Sequence, residues 1–231
     1  MLYIIPTPIS ENISGTIPDD VLKIMHGIKF FIVERARTAR RFIKSSGYQG
    51  SIEELTFYEL DKRNPDNIPD LYFEQVLNGI DIGLMSEAGM PGIADPGAKV
   101  VAKAHKLGVK VVPLVGASSI FLSLAASGLN GQNFTFDGYL PVKTAELKRK
   151  LQFIEKDILQ RGTTHIFIET PYRNNKMIES ILNSFNDRIM FCIASEITSK
   201  NEYILTKSIY SWKKSKVPDI HKKTCIFLVG K

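Results

Sequence analysis

The chain has 231 residues, of which 44% are hydrophobic and 23% are charged, and its formal net charge is +6 at pH 7. This composition excludes a disordered chain, and no apolar run reaches the roughly 20 residues that cross a bilayer. The N-terminus lacks the basic segment and cleavage site of a signal peptide, so we expect a cytoplasmic protein. Cys192 and Cys225 lie in apolar runs without metal-ligand spacing, which predicts buried free thiols and no metal site.

Basic residues are concentrated in two segments. Residues 35–44 contain five basic residues and no acidic one, and residues 207–231 contain seven lysines against a single aspartate. Such clusters suit a polyanionic partner such as RNA. A solvated surface carries the same pattern, so both interpretations remain open here.

The N-terminal half begins by alternating short apolar strands with helices. Residues 2–5 predict a strand that ends at Pro6-Thr7-Pro8-Ile9, and a helix follows at residues 19–27. Residues 30–33 predict a second strand, which brings Glu34 to its carboxyl end. Over residues 35–46 the arginines share one helical face and the apolar residues share the other, which predicts a basic amphipathic helix.

A loop rich in glycine and proline follows the apolar run at residues 80–85. Residues 86–97 read SEAGMPGIADPG, with three glycines and two prolines. Glycine removes side chains, so a ligand can approach the main chain closely at the end of a strand. A long packed turn without a ligand uses the same residue types. Asp95-Pro96 predicts the start of the next helix.

The next strand, at residues 109–112, leads into a helix of apolar and small residues that starts near Ser118 and Ser119. We expect this helix to be buried close to other backbone, because it is apolar on most sides. The N–H groups of its first turn suit a carboxylate or hydroxyl ligand. Ordinary capping by serine explains the same two residues equally well.

The C-terminal half is richer in strands. We predict strands near residues 134–141, 164–169, 189–194, 202–205 and 224–229, and helices at 144–160 and 173–185. The sequence therefore predicts an α/β protein with two domains: residues 1–115 with a parallel-type sheet, and residues 116–231 with a mixed sheet. The cleft between them is the default ligand site.

Several motifs occur in an order that is found in one known family. They are Pro6-Thr7-Pro8-Ile9, the segment 86–97, Val112-Pro113-Leu114-Val115-Gly116, Ala126-Ser127-Gly128-Leu129, Phe136-Asp137-Gly138-Tyr139-Leu140-Pro141, Glu169-Thr170-Pro171-Tyr172-Arg173 and Glu196-Ile197-Thr198. On these motifs the chain resembles the tetrapyrrole (corrin/porphyrin) methylase superfamily. Within it, the chain most resembles the ribosomal RNA small subunit methyltransferase I family, which methylates a cytidine 2′-oxygen.

The resemblance implies a class III S-adenosylmethionine-dependent methyltransferase fold, a homodimer, and a cofactor bound between the domains. S-adenosylmethionine has no pyrophosphate, so the Gly-x-Gly-x-x-Gly fingerprint is not needed. By alignment with the family, the cofactor-binding residues are Pro8, Ile9, Met90, Ile93, Ser118, Ser119, Thr170 and Pro171. The reaction that the family carries out requires no metal.

The residues that would act on the methyl acceptor are expected in the segment around Glu34. A 2′-hydroxyl is a poor nucleophile near neutral pH, and Glu34 is our candidate general base. The alternative role of Glu34 is structural, as a partner of Arg37 or as a cap of the basic helix. Arg37, Arg40 and Arg41 are candidate contacts to RNA phosphates, and a solvated helix surface is the alternative.

The chain departs from the family pattern near the expected substrate site. The family segment Ala-Glu-Asp-Thr-Arg reads Val33-Glu34-Arg35-Ala36-Arg37 here, and longer members continue beyond the position of Lys231. The identity of the acceptor therefore stays open at this point. RNA of the small ribosomal subunit is our prediction, and a tetrapyrrole-like small molecule, a protein substrate, or a non-catalytic cofactor-binding module are the alternatives.

Overall fold

The computed structural model describes residues 1–11, 15–61, 63–64 and 67–231, and these form two compact units, Met1–Ser118 and Ser119–Lys231. We call them the N-terminal unit and the C-terminal unit. Each unit has its own sheet and its own hydrophobic core. Within the described ranges, none of the helices combines the length and the apolar character that crossing a membrane needs.

The N-terminal unit alternates strands and helices, as the sequence predicts. Its strands in the described residues are β1 (Leu2–Ile5), β2 (Phe30–Val33), β3 (Thr56–Glu59), β4 (Ile82–Met85) and β5 (Val111–Pro113). Its helices there are α1 (Asp19–Gly27), α2 (Ala36–Ser45), α3 (Glu74–Leu77) and α4 (Gly97–Lys106), with short 3-10 helices at Ile52–Glu54 and Asp70–Phe73. The predicted basic helix is confirmed as α2.

These strands form a parallel sheet in the order β3-β2-β4-β1-β5. Alternate side chains face opposite sides of the sheet: Ile5 and Phe31 join the core beneath α1 and α2, whereas Leu2 and Ile4 join the core beneath α4. Both faces are therefore covered, as a parallel sheet requires. All carboxyl ends lie at one end of the sheet, so the loops that follow the neighbouring strands β4, β1 and β5 lie side by side there.

Helix α2 owes its position to its two faces. Phe42 and Ile43 are buried in the core, whereas Arg37, Arg40 and Arg41 are exposed. An isolated helix of ten residues is only marginally stable in water, so the burial of its apolar stripe stabilises it in this position. The consequence is a fixed row of positive charge beside the carboxyl edge of the sheet.

The C-terminal unit contains a mixed sheet, as predicted. Its strands are β6 (Phe134–Tyr139), β7 (Thr164–Ile168), β8 (Met190–Ser195), β9 (Tyr203–Ser208) and β10 (Cys225–Gly230), in the order β6-β7-β10-β8-β9. Only β6 and β7 pair in parallel among these strands. Its helices are α5 (Ser119–Ser127), α6 (Thr144–Arg161), α7 (Asn174–Ser184) and α8 (Ile209–Lys213), with a 3-10 helix at Pro171–Arg173. Cys192 and Cys225 are buried free thiols, which confirms that prediction.

A buried charge network joins β6, β7 and α6. His165 is only 2% exposed, and its Nδ1 lies 2.7 Å from Asp137 Oδ2 while its Nε2 lies 3.1 Å from Asp157 Oδ2. Lys150 Nζ donates to Asp137 Oδ1 at 2.7 Å. Burial alone would raise the pKa of the Asp137 carboxyl, but the hydrogen bonds and charges of His165 and Lys150 together outweigh it and hold that pKa below its usual value.

Helix α5 is buried close to other backbone, as predicted, but only on one side. Ile120 and Leu124 are buried against the sheet, but Phe121 is 53% exposed and Leu122 is 38% exposed. The helix contacts β8, β9 and β10, which cover only the side that faces them. Uniform apolar character identifies a helix that has surface to bury, but it does not show what covers each side.

Candidate active site

Three loops meet at the carboxyl edge of the N-terminal sheet. They follow the neighbouring strands β1, β4 and β5, and they span residues 6–9, 86–97 and 114–118. The Thr7 N–H donates to the Gly89 carbonyl at 2.9 Å, and the Gly89 N–H donates to the Thr7 carbonyl at 3.0 Å. The Ser86 hydroxyl also donates to the Gly89 carbonyl, at 3.2 Å. The first two loops are therefore held together by their own main chains.

Two glycines allow the loops to pack this closely. A β-carbon added at Gly116 would lie 2.2 Å from Pro6 Cβ and Cγ, so no side chain fits there. Gly89 has a φ of +76°, and a β-carbon added there would lie 3.2 Å from Ile9 Cγ2 and 3.6 Å from the Ala117 carbonyl oxygen. The three loops thus form one continuous surface at the end of the sheet.

Asp95 closes the second half of the glycine-rich loop. Its Oδ1 accepts the N–H of Gly92 at 2.8 Å and the N–H of Gly97 at 2.7 Å, so it also caps the start of α4. Burial raises the pKa of the Asp95 carboxyl, and the backbone N–H groups of Gly92, Gly97 and Ile93 act in the opposite direction. Ala94 adopts a φ of 63°, a left-handed conformation that costs a non-glycine residue roughly 1 kcal/mol or more.

The structure divides the predicted cofactor residues between the two units. Those in the N-terminal unit all lie on the three joined loops: Pro8, Ile9, Met90, Ile93 and Ser118. Ser119, Thr170 and Pro171 belong to the C-terminal unit. On the third loop the apolar side chain of Val115, which is not among the predicted cofactor residues, is 76% exposed. An exposed valine in a loop is a signal that hydrophobic periodicity does not detect.

The turn that follows β7 is held by a buried carboxylate. Glu169 Oε1 accepts the N–H of Thr170 at 2.7 Å, and its Oε2 lies 2.9 Å from Arg173 Nη2. The Pro171 carbonyl accepts the N–H of Lys222 at 3.0 Å. Thr170 is exposed at the tip of this turn. The main chain of the predicted segment is therefore fixed, and its side chains remain accessible.

Left-handed backbone occurs at the same edge of the C-terminal sheet. Glu196 (φ 49°) and Thr198 (φ 67°) follow β8, and Lys222 (φ 63°) precedes β10. Lys223 Nζ lies 3.5 Å from Glu196 Oε2, and the Thr198 N–H donates to a carboxylate oxygen of Glu202 at 2.7 Å. Such conformations cluster at functional sites. Sequence patterns give no indication of them, because none of these residues is glycine.

Glu34 contacts the glycine-rich loop. Its Oε1 accepts the main-chain N–H of Glu87 at 2.9 Å, across 53 residues of sequence. At the start of α2, the N–H of Ala36 donates to Glu59 Oε2 at 3.1 Å, so a residue that the sequence analysis did not select caps this helix. Arg35 Nε lies 3.7 Å from Glu87 Oε2. Glu34 thus supports the loop through its carboxylate.

A cavity of about 510 Å³ lies between the first loop, α2 and the start of the glycine-rich loop. Its lining residues are Thr7, Pro8, Ile9, Ser10, Glu11, Thr38, Arg41, Phe42, Ser45, Glu87 and Ala88. Of the three candidate phosphate-binding arginines, Arg41 lines the cavity. The guanidinium carbon of Arg40 instead lies 5.1 Å from the ring centroid of Phe57. The cavity combines one guanidinium with hydroxyl groups, carboxylates and an aromatic ring.

Comparisons with known proteins place the chain in a family. Residues 30–211 match the family model of the tetrapyrrole (corrin/porphyrin) methylases. Ribosomal RNA small subunit methyltransferase I of Vibrio cholerae is 32% identical over 204 residues, which are 88% of this chain and 67% of that protein. The protein of the same name from Buchnera aphidicola is 30% identical over 217 residues, 93% of this chain and 72% of that protein.

A solved structure shows the same fold. The methyltransferase CobJ superposes on all of this chain and on 92% of its own, with a TM-score of 0.64 and 15% sequence identity. The prediction of a class III methyltransferase fold, with a parallel-type sheet followed by a mixed one, is thereby confirmed. On the family model and the similar proteins, the chain belongs to the tetrapyrrole (corrin/porphyrin) methylase family and is a methyltransferase.

Proposed function

We propose that the protein transfers a methyl group from S-adenosylmethionine to RNA of the small ribosomal subunit, at a cytidine 2′-oxygen. The observation that carries the proposal is the junction of three main-chain loops with the basic face of α2 at one edge of one sheet. Similar proteins named ribosomal RNA small subunit methyltransferase I support the substrate class. An activity on ribosomal subunits would operate in the cytoplasm.

The loop residues fit a cofactor of this chemistry. Pro8, Ile9, Met90, Ile93 and Ser118 are our cofactor-binding candidates in the N-terminal unit. Ile93 is 39% exposed, so it offers apolar surface to a flat heteroaromatic ring. Our candidates in the C-terminal unit are Ser119, Thr170 and Pro171.

The protein side chains have a limited chemical task. When it is bound, S-adenosylmethionine supplies a methyl group that its sulfonium centre has already activated. The residues of the protein must therefore align the acceptor hydroxyl, receive its proton and exclude water. In this proposal the exposed arginines of α2, Arg37 and Arg41 in particular, bind RNA phosphates and set the position of the acceptor.

The test of this function has a binding stage and a transfer stage. Calorimetric titration with S-adenosylmethionine should give a micromolar dissociation constant. Incubation with methyl-labelled cofactor and separated cell fractions should then label RNA, and not protein or small molecules. Absence of both heat and label would refute the proposal, and label in the small-molecule fraction would assign a tetrapyrrole-like acceptor instead.

We further propose that the protein acts as a homodimer. Helix α5 supports this, because Phe121 and Leu122 expose apolar surface on the side away from the sheet. Light scattering at micromolar concentration should give twice the mass of 25.9 kDa. Phe121→Glu should shift the mass toward that of one chain, and a monomeric wild-type protein would contradict the proposal.

A further inference from the structure

Within the part of the chain that the structure describes, the carboxylate of Glu87 has no hydrogen-bond partner. Its Oε1 is buried and accepts no hydrogen bond, and its Oε2 lies 3.7 Å from Arg35 Nε, beyond hydrogen-bonding distance. Among the described residues, no hydrogen bond reaches either oxygen, although only 34% of the side-chain surface is exposed on the loop that carries the predicted cofactor residues. Leaving such an acceptor unpaired costs roughly 1–3 kcal/mol. The side chain keeps 34% of its surface exposed and lines a cavity, so a ligand can still reach the carboxylate with a hydrogen-bond donor.

Glu34 is in the opposite situation. Its Oε1 already accepts the main-chain N–H of Glu87 at 2.9 Å. A proton acceptor must be within hydrogen-bond reach of the group that it deprotonates. The structure instead uses this carboxylate to hold the loop, and so to fix the position from which the Glu87 side chain extends.

Glu87 lines the 510 Å³ cavity, whose size falls within the roughly 300–1,000 Å³ of small-ligand pockets. Its walls offer the chemistry that a nucleotide requires. The Arg41 guanidinium suits a phosphate, the ring of Phe42 is apolar, and hydroxyl groups such as that of Thr38 serve as donors or acceptors. A carboxylate in such a pocket can accept hydrogen bonds from the hydroxyl or amino groups of a ligand.

We infer that this cavity takes the acceptor nucleotide of the RNA, and that Glu87 is the catalytic base that receives its hydroxyl proton. The inference rests on the proposed function. In the step, the proton passes to the Glu87 carboxylate while the hydroxyl oxygen bonds to the methyl carbon. The bond from that carbon to sulfur breaks, and its electron pair stays on sulfur. In this proposal Glu34 is a positioning residue, and Glu87 takes the role of the base that the sequence suggested for Glu34.

The test compares Glu87→Ala with Glu34→Ala and with Glu53→Ala, an exposed control in the same unit. Glu87→Ala should lower kcat by about 10²- to 10⁴-fold, the range for a lost general base. Added formate fits into the space of the missing carboxylate and should restore much of that loss. Formate should not rescue Glu34→Ala, because the loop contact requires a carboxylate that is fixed to the chain.

Binding measurements separate a chemical role from a structural one. Calorimetry with S-adenosylmethionine and fluorescence anisotropy with labelled RNA should give affinities for Glu87→Ala within about twofold of the wild type, a difference of about 0.4 kcal/mol. Weakened cofactor binding would mean that the cavity holds the cofactor, and it would overturn the inference. An undiminished rate, or rescue of Glu34→Ala alone, would also overturn it. The wild-type protein is assayed in parallel. If it labels no RNA, the proposed function itself is refuted, and this result is distinct from any effect of the variants.

Discussion

Replacement of Gly116 by alanine tests whether the three loops are as tightly joined as the structure indicates. The added methyl carbon would lie 2.2 Å from Pro6 Cβ and Cγ, against ordinary contacts of 3.4–4 Å. The rigid proline ring cannot rotate away, so the loops must separate by about 1.2 Å. Overpacking of this kind costs about 1–3 kcal/mol.

Urea unfolding and thermal melting measure this loss. The free energy of unfolding should fall by about 1–3 kcal/mol, and Tm should fall by about 2–4 °C for each kcal/mol. Affinity for S-adenosylmethionine should weaken by about tenfold, or about 1.4 kcal/mol, because the displaced loop carries Ser118. Gly27→Ala is the matched control, since its added carbon meets no atom within 4 Å. A Gly116→Ala protein with wild-type stability and cofactor affinity would refute the packing argument.

Two further predictions concern the charged groups. RNA affinity falls as salt rises, and each phosphate contact in a single strand makes the slope of log affinity against log salt steeper by about 0.7. The double variant Arg37→Ala/Arg41→Ala should therefore make this slope shallower by about 1.4. Lys106→Ala, an exposed control on α4, should leave the slope unchanged, and equal slopes for all three proteins in anisotropy titrations would exclude phosphate contacts by these arginines. Asp137→Asn should lower the free energy of unfolding by about 3 kcal/mol at neutral pH, because Lys150 loses its buried partner. The pKa of Asp137 is lowered in the folded protein, so its contribution is present above the usual value of 3.8 and is lost as the pH falls through the lowered value. The difference in urea stability between variant and wild type should narrow in that acid range, and a constant difference would contradict the argument.

The elements that hydrophobic periodicity defines were predictable from sequence. Helix α1 has the bounds that its proline and glycine signals predict, and α2 has the predicted apolar and basic faces. Strands β1, β2 and β4 were recognisable because they are largely buried and read as continuous apolar runs. Local sequence determines these features, so local patterns suffice to find them.

The contacts that build the candidate site were not predictable in the same way. The hydrogen bond from the Glu87 N–H to Glu34 joins residues 53 positions apart, and its existence depends on β2 and β4 being neighbours in the sheet. The contact between Gly116 and Pro6 depends in turn on β1 lying beside β5. Strand order is a property of the whole chain, so a single sequence shows the loops but not their partners.

Helix α5 illustrates a different limit. Its composition predicts burial, yet Phe121 and Leu122 are exposed. Residue composition measures how much apolar surface a helix has. It carries no information on whether that surface meets the same chain or another one.

Transfer of a labelled methyl group to isolated small ribosomal subunits tests the central claim most directly. The subunits are incubated with the protein and methyl-labelled S-adenosylmethionine, and the RNA is then digested to nucleosides and separated. We predict that the label appears in a single nucleoside, 2′-O-methylcytidine. Label confined to ribosomal protein, or unlabelled RNA from a protein that binds the cofactor, would contradict the account.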